Sequence, residues 1–219
     1  MKFRSTRDLF AATYTGAQVI KQGLAPDGGL FVPESIPLLT FKELEALLPL
    51  SYPERAAAVL SKFLTDYSKD ELLRDAAAAY SESAFPGGAA PLHALSDGLY
   101  TQELWHGPTA AFKDMALQMM PRLLSRALLK TGEKRTALIL VATSGDTGKA
   151  ALEGYKDIER VRILVFYPED GVSTVQKLQM QTQTGKNVQV VAIKGNFDDA
   201  QTGVKKIFSD SEMACKLAE

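Results

Sequence analysis

The chain has 219 residues, 46% of them hydrophobic and 23% charged, a composition that excludes a disordered polymer and can bury one sizeable core or two smaller ones. Its 25 basic and 26 acidic side chains leave a net charge of −1, so nothing electrostatic points to nucleic acid or an anionic membrane surface, and small molecules are the expected partners. The lone cysteine, Cys215, excludes an intramolecular disulfide, and with only His93 and His106 beside it no nitrogen or sulfur metal site can be assembled.

In chain order, Leu9, Phe10, Tyr14, Ala17, Val19 and Ile20 recur at helical spacing and predict a helix from about residue 6 to Gly23. Residues 24–33, with two prolines and a glycine pair, predict a turn leading into a strand. Helical patterns follow at 40–48, 53–64 and 69–83. The breaker-rich segment 83–91 then divides the chain into an N-terminal region, 1–90, and a second domain, 91–219. Beyond it short β-rich runs alternate with helical ones: strand 98–103, helix 112–129, strand 136–142, helix 147–156, strand 161–167, helix 172–184, strand 188–193, then helices from about 198 to a final helical pattern over 211–219. Pro121 predicts a kink or early break in the helix that begins at Phe112. The expected class is α/β, with a helical N-terminal region followed by an open, mainly parallel sheet carrying helices on both faces. The opening residues lack the apolar stretch of a signal peptide and no run is long enough to cross a bilayer, so a cytoplasmic location is expected.

Two motifs carry chemistry. In Glu103-Leu-Trp-His-Gly-Pro-Thr-Ala-Ala-Phe-Lys-Asp114 a strand end passes through a Gly-Pro turn to a lysine in the first turn of a helix. A cation is disfavoured there, and the helix dipole favours loss of its proton; a neutral amine is what Schiff-base chemistry needs. The plainer reading of Lys113 is a solvated surface lysine. In Leu138-Ile-Leu-Val-Ala-Thr-Ser-Gly-Asp-Thr-Gly-Lys-Ala-Ala151 a buried strand passes through a polar loop into a helix, aiming free N–H groups at an anion. A nucleotide-binding P-loop would need glycine at Thr143 and Ser or Thr at Ala150, and a nucleophile elbow would need glycine at Ala142. The plainer reading is a βα loop in which Asp146 caps the helix.

The sequence His106-Gly-Pro-Thr-Ala-Ala-Phe-Lys-Asp114 resembles the cofactor-lysine motif of threonine synthases, within the tryptophan-synthase-like group of pyridoxal-phosphate (PLP) enzymes. Arg4-Ser-Thr-Arg7, residues 24–30 and residues 195–201 are similar to the same family, so the resemblance spans nearly the whole chain. It implies a tryptophan-synthase-like PLP fold, incomplete in this chain, with Lys113 as the Schiff-base lysine and catalytic proton carrier, and Phe112 and Asp146 beside the cofactor. It further implies that Thr143, Ser144, Gly145 and Thr147 grip the substrate carboxylate. Many relatives carry asparagine where Asp146 stands; a carboxylate there is expected to shift protonation around the cofactor's phenolic oxygen.

The implied reaction is PLP-dependent conversion of O-phospho-L-homoserine and water to L-threonine and phosphate, a lyase step in threonine biosynthesis. Alternatives are a related phospho-lyase, a serine or threonine dehydratase, or a non-catalytic binding module. Full threonine synthases are considerably longer, so the cofactor-phosphate loop and the group facing the pyridine nitrogen are expected outside these residues, with weak PLP affinity and no turnover from them alone. His106 is read as a turn histidine bonded to backbone or as a group over the cofactor, Trp105 and Phe112 as core or as packing against the cofactor, Ser173 and Lys177 as an ordinary capped helix start or a phosphate grip, and Gly195-Asn-Phe-Asp198 as a structural turn.

Overall fold

The computed structural model describes residues 1–210 together with 212, 213 and 216; Cys215 and most of the helical pattern expected over 211–219 lie outside the described residues. The chain separates into two compact units, Met1–Ala89 with Arg122–Lys134, and Ala90–Pro121 with the chain from Arg135 onward. The first crossing falls in the breaker-rich segment, whereas the return of residues 122–134 to the first unit has no counterpart in a single boundary near residue 90.

In the first unit β1 (Phe3–Ser5) pairs antiparallel with β2 (Phe31–Pro33). The helix expected from residue 6 begins ten residues later: α1 spans Gly16–Gln22, started by a Thr15–Gln18 capping box and stopped at Gly23. The intervening backbone is pulled out of helical geometry. Tyr14 exchanges both backbone hydrogen bonds with Phe3, and the Asp27 carboxylate accepts from the Ser5 hydroxyl and the N–H groups of Leu9 and Gly29. The Ser5 bond, then burial acting against it, then the backbone donors and Arg7 leave the Asp27 carboxyl below its ordinary value. Helices α2 (Phe41–Leu47), α3 (Tyr52–Phe63) and α4 (Lys69–Ala79) answer to the three helical patterns, α4 stopping four residues short of the expected 83, and α3 packs on α4. Leu72, Ala76, Ala79, Phe85, Ala127 and Leu128 form the centre of this unit's core.

The second unit opens with the hairpin β3 (Leu92–Ser96) and β4 (Leu99–Gln102); only the second of these strands is legible in the sequence. The helix expected over 112–129 is broken in two, α5 (Asp114–Leu117) and α6 (Met120–Lys130). Pro121 sits in the first turn of α6, where its missing N–H costs nothing, so the proline produces a break and restart. Then β5 (Ala137–Ala142), α7 (Asp146–Tyr155), β6 (Val161–Pro168), α8 (Thr174–Gln181), β7 (Val188–Ile193) and α9 (Phe197–Ser209) alternate as expected. The three strands form one parallel sheet in the order β5-β6-β7, with Ala137 opposite Val161 and Ile163 opposite Val188. Val161, Ile163, Val165 and Tyr167 of β6 are buried at 2% exposure or less, the alternation of a strand with one face against packed helix. All three strands point the same way, so the loop after Ala142 lies at the carboxyl edge of the sheet, where open α/β folds place ligands. Among the described residues no helix is long and apolar enough to cross a membrane.

Candidate active site

The segment from β4 to α5 is built as a folded turn. His106 Nε2 and Glu103 Oε2 lie 2.6 Å apart, which holds the imidazole to a carboxylate three residues back, and the indole of Trp105 stacks beside it with centroids 5.8 Å apart. Trp105 is 55% exposed and Phe112 61% exposed, so neither serves the core. Ala110 adopts φ 55°, in the left-handed region that L-residues rarely enter. Asp114, 0% exposed, folds back on the turn: its carboxylate accepts from the Thr109 N–H at 2.8 Å and the Thr109 hydroxyl at 2.7 Å. Gly107 lies so close to it that a Cβ there would stand 2.5 Å from a carboxylate oxygen.

Lys113 occupies the cap position just before α5, half-buried, with Nζ 4.6 Å from the centroid of the Phe112 ring. Among the described residues no carboxylate comes within ion-pair distance of its amine. Because α5 is a single turn of four residues, the dipole argument that the sequence invites has little helix behind it. The geometry offers instead a lysine amine without an ionic partner among the described residues, resting on an exposed aromatic face.

The loop between β5 and α7 is held from below by Thr143, which is buried at 2% exposure. Its N–H donates to Phe166 of β6 at 3.0 Å. Its hydroxyl donates to the Gly145 carbonyl at 3.2 Å and accepts from the N–H groups of Gly145 at 3.0 Å and Gly148 at 2.9 Å. Of the four residues expected to grip a carboxylate, Thr143 and Gly145 are thus turned toward one another: the threonine hydroxyl and the Gly145 N–H are spent inside the loop. The exposed set is Ser144, Asp146 and Thr147. Among the described residues no group accepts from their N–H groups or from the Ser144 and Thr147 hydroxyls, and these donors stand at the positive end of the ten-residue helix α7.

Asp146 is the first residue of α7 and makes no side-chain cap; Gly145, at φ 151°, holds the cap position. The Asp146 carboxylate instead accepts from Nε2 of Gln176, on the first turn of α8, at 2.6 Å. That carboxamide lies against Gly145, where any Cβ would meet it at 2.5 Å. Gln176 went unnoticed in the sequence because its partner is 30 residues away; the glycine after Ser144 is the one local hint of a close approach. Asp114 was visible only as the neighbour of Lys113, although its spacing from Thr109 is that of a side chain closing a turn. Helix α5 packs on α7, and the approach depends on Gly154, where a Cβ would stand 1.9 Å from the Leu117 carbonyl.

The weaker candidates resolve locally. Ser173 caps α8 through the Gln176 N–H at 3.3 Å and Lys177 donates to the Glu169 carbonyl at 3.2 Å, an ordinary helix start. Asn196 and Asp199 form a capping box at the head of α9, so residues 195–198 are a turn.

A family profile described as "Threonine synthase N terminus" matches residues 2–80. The chain is 41% identical over 214 residues to threonine synthase of Pseudomonas aeruginosa, covering 96% of this chain and 44% of that one. It is 37% identical over 204 residues to human threonine synthase-like 1, covering 90% of this chain and 27% of the relative. A crystal structure of PLP-bound threonine synthase from Brucella melitensis superposes with a TM-score of 0.88 at 38% identity, over 97% of this chain and 45% of that one. The chain therefore spans less than half the length of the relatives it matches.

Proposed function

We propose, from a similarity to the N-terminal part of threonine synthases that runs almost the whole length of the chain, that these residues supply the lysine and the carboxylate grip of a PLP-dependent threonine synthase. The single observation that supports this most is the join of sequence and geometry at Lys113. The residue that matches the family's cofactor lysine is half-buried, has no ion-pair partner among the described residues, and is presented by a turn fixed through a buried carboxylate. A primary amine in that state can attack an aldehyde, so the donor set fits a carbonyl cofactor.

Bound PLP supplies the electron sink for carbanion chemistry next to the substrate amine. Lys113 would hold the cofactor through its Nζ, and the same amine would move protons at Cα and Cβ of O-phospho-L-homoserine. The N–H groups of Ser144, Asp146 and Thr147 and the two hydroxyls bind the substrate carboxylate, with Thr143 and Gly145 holding the loop in shape. Phe112 would offer the cofactor an exposed aromatic face, and the Asp146 carboxyl, held by Gln176, would stand beside it. The setting proposed with this reading is the cytoplasm.

The test is product analysis with the full-length protein that carries these residues, offered O-phospho-L-homoserine, serine, threonine or phosphothreonine. The expected result is threonine and phosphate from O-phospho-L-homoserine, falling about 10²–10⁴-fold in Lys113→Ala when the proton carrier is lost. Phosphate release from phosphothreonine alone would indicate the phospho-lyase, deamination of serine or threonine the dehydratase, and no reaction on any of them a binding module.

A further inference from the structure

We propose that Asp114 is a positioning residue for Lys113: its buried carboxylate clamps Thr109 and thereby fixes the turn that presents the lysine amine. The inference rests on the assignment of Lys113 made above. An acidic residue opening a helix ordinarily serves the amides ahead of it. Asp114 does not; both of its oxygens reach back five residues, to the N–H and hydroxyl of Thr109. Two charge-assisted bonds at 2.7 and 2.8 Å to a side chain with 0% exposure make a strong closure.

Backbone bonds from Ala110 to Gly107 and from Asp114 to Ala111, and the packing of α5 on α7, shape the same segment, and among the described residues the clamp is the one side-chain closure of residues 107–114. Helix α5 is one turn of four residues, below the length at which a helix sustains itself. Within the closed loop Ala110 sits at φ 55°, a conformation that persists only where the surroundings over-determine it. Gly107, pressed against the carboxylate, leaves no room for a side chain. Lys113 lies inside this loop, one residue before the clamp, so the direction in which its stem leaves the backbone is set by the Asp114–Thr109 bonds. Loss of either bond lets Ala110 relax toward ordinary geometry and spreads Lys113 over several orientations, which lowers the fraction of time in which the amine faces a reactant.

The experiment measures the rate at which PLP becomes fixed to Lys113. The amine condenses with the aldehyde, expelling water, and borohydride delivers hydride to the carbon–nitrogen double bond; peptide mapping then reports the adduct residue by residue. The proteins are wild type, Lys113→Ala, Thr109→Ser, Thr109→Val and Asp114→Asn, each with a thermal melt, assayed well below its transition. Thr109→Ser keeps both donors and is expected to react like wild type. Thr109→Val and Asp114→Asn are expected to lose about tenfold in rate at Lys113, the scale of one charge-assisted hydrogen bond, with background adducts at other lysines unchanged. A purely structural role would lower the melt and leave the Lys113 rate alone. Should Asp114→Asn fail to fold, Thr109→Val decides. Equal Lys113 rates in wild type and Thr109→Val overturn the clamp while leaving the lysine assignment standing; absence of a Lys113 adduct in wild type overturns both.

Discussion

At the scale of single residues, the chemistry depends on groups that never touch a ligand. Thr143 satisfies two buried N–H groups at once, and removing its hydroxyl leaves both without an acceptor. Thr143→Val is therefore expected to cost about 1–3 kcal/mol, with Thr143→Ser recovering most of it, as read by urea denaturation. Gly145→Ala fails for a different reason: φ 151° is hostile to a side chain and the new Cβ would strike the Gln176 carboxamide at 2.5 Å. The substitution is expected to cost about 1–3 kcal/mol and to part Asp146 from Gln176, a change visible in the backbone resonances of residues 144–147. The residue types of both motifs were legible in the sequence. Their division of labour was not, since Thr143 is tied to Phe166 and Asp146 to Gln176, partners that reach the loop only through the fold.

At the scale of elements, local pattern placed the starts of α2 and α4, whose caps are made by their own neighbours. Thr40–Glu43 and Ser68–Glu71 are capping boxes readable as letters, and the helices behind them begin where those letters stand. The pattern failed over residues 6–15. Leu9 and Phe10 have helical spacing, yet they are 69% and 64% exposed, and Asp27, eighteen residues on from Leu9, claims the backbone N–H that a helix would have used. It failed again at β3, whose residues are all exposed and so lack the apolar alternation that marks a half-buried strand. The junction of α5 and α7 is the element-scale contact most sensitive to volume. Gly154→Ala forces a methyl group into the Leu117 carbonyl, and a loss of about 3 kcal/mol is expected in denaturant unfolding, the upper part of the range for overpacking.

At the scale of the whole molecule, two units with separate cores share one chain, and the first carries an electrostatic anchor. In the first, Arg126 binds Asp75 through two bonds at 2.7 and 2.6 Å, with Asp75 8% exposed and Lys130 2.8 Å from Glu71 beside them. Removing one partner strands the other in a poorly hydrated place, so Arg126→Ala is expected to cost about 3 kcal/mol, measured as the loss of unfolding free energy in urea. Burial pushes the Glu71 carboxyl upward, but hydrogen bonds from Lys130 and the Ser68 N–H outweigh it and leave the group below its ordinary value. Glu43, bonded first by Lys62 and then by Thr40, is lowered from 4.5 to about 2. A carboxyl whose folded value is depressed adds stability above its unfolded value and surrenders it as pH falls through the folded one. Acid weakening should therefore begin below 4.5 and, for Glu43, continue to about 2, and Glu43→Gln should flatten that limb of a stability–pH curve, modestly because the pair is solvent-exposed.

The central claim, that Lys113 is the residue on which a PLP enzyme is built, is tested most directly by incubating the full-length protein that carries these residues with PLP, reducing with borohydride and locating the adduct by mass spectrometry. The account predicts modification concentrated on the peptide bearing Lys113 and abolished in Lys113→Ala. Modification spread evenly over the exposed lysines, or concentrated on another one, would contradict it.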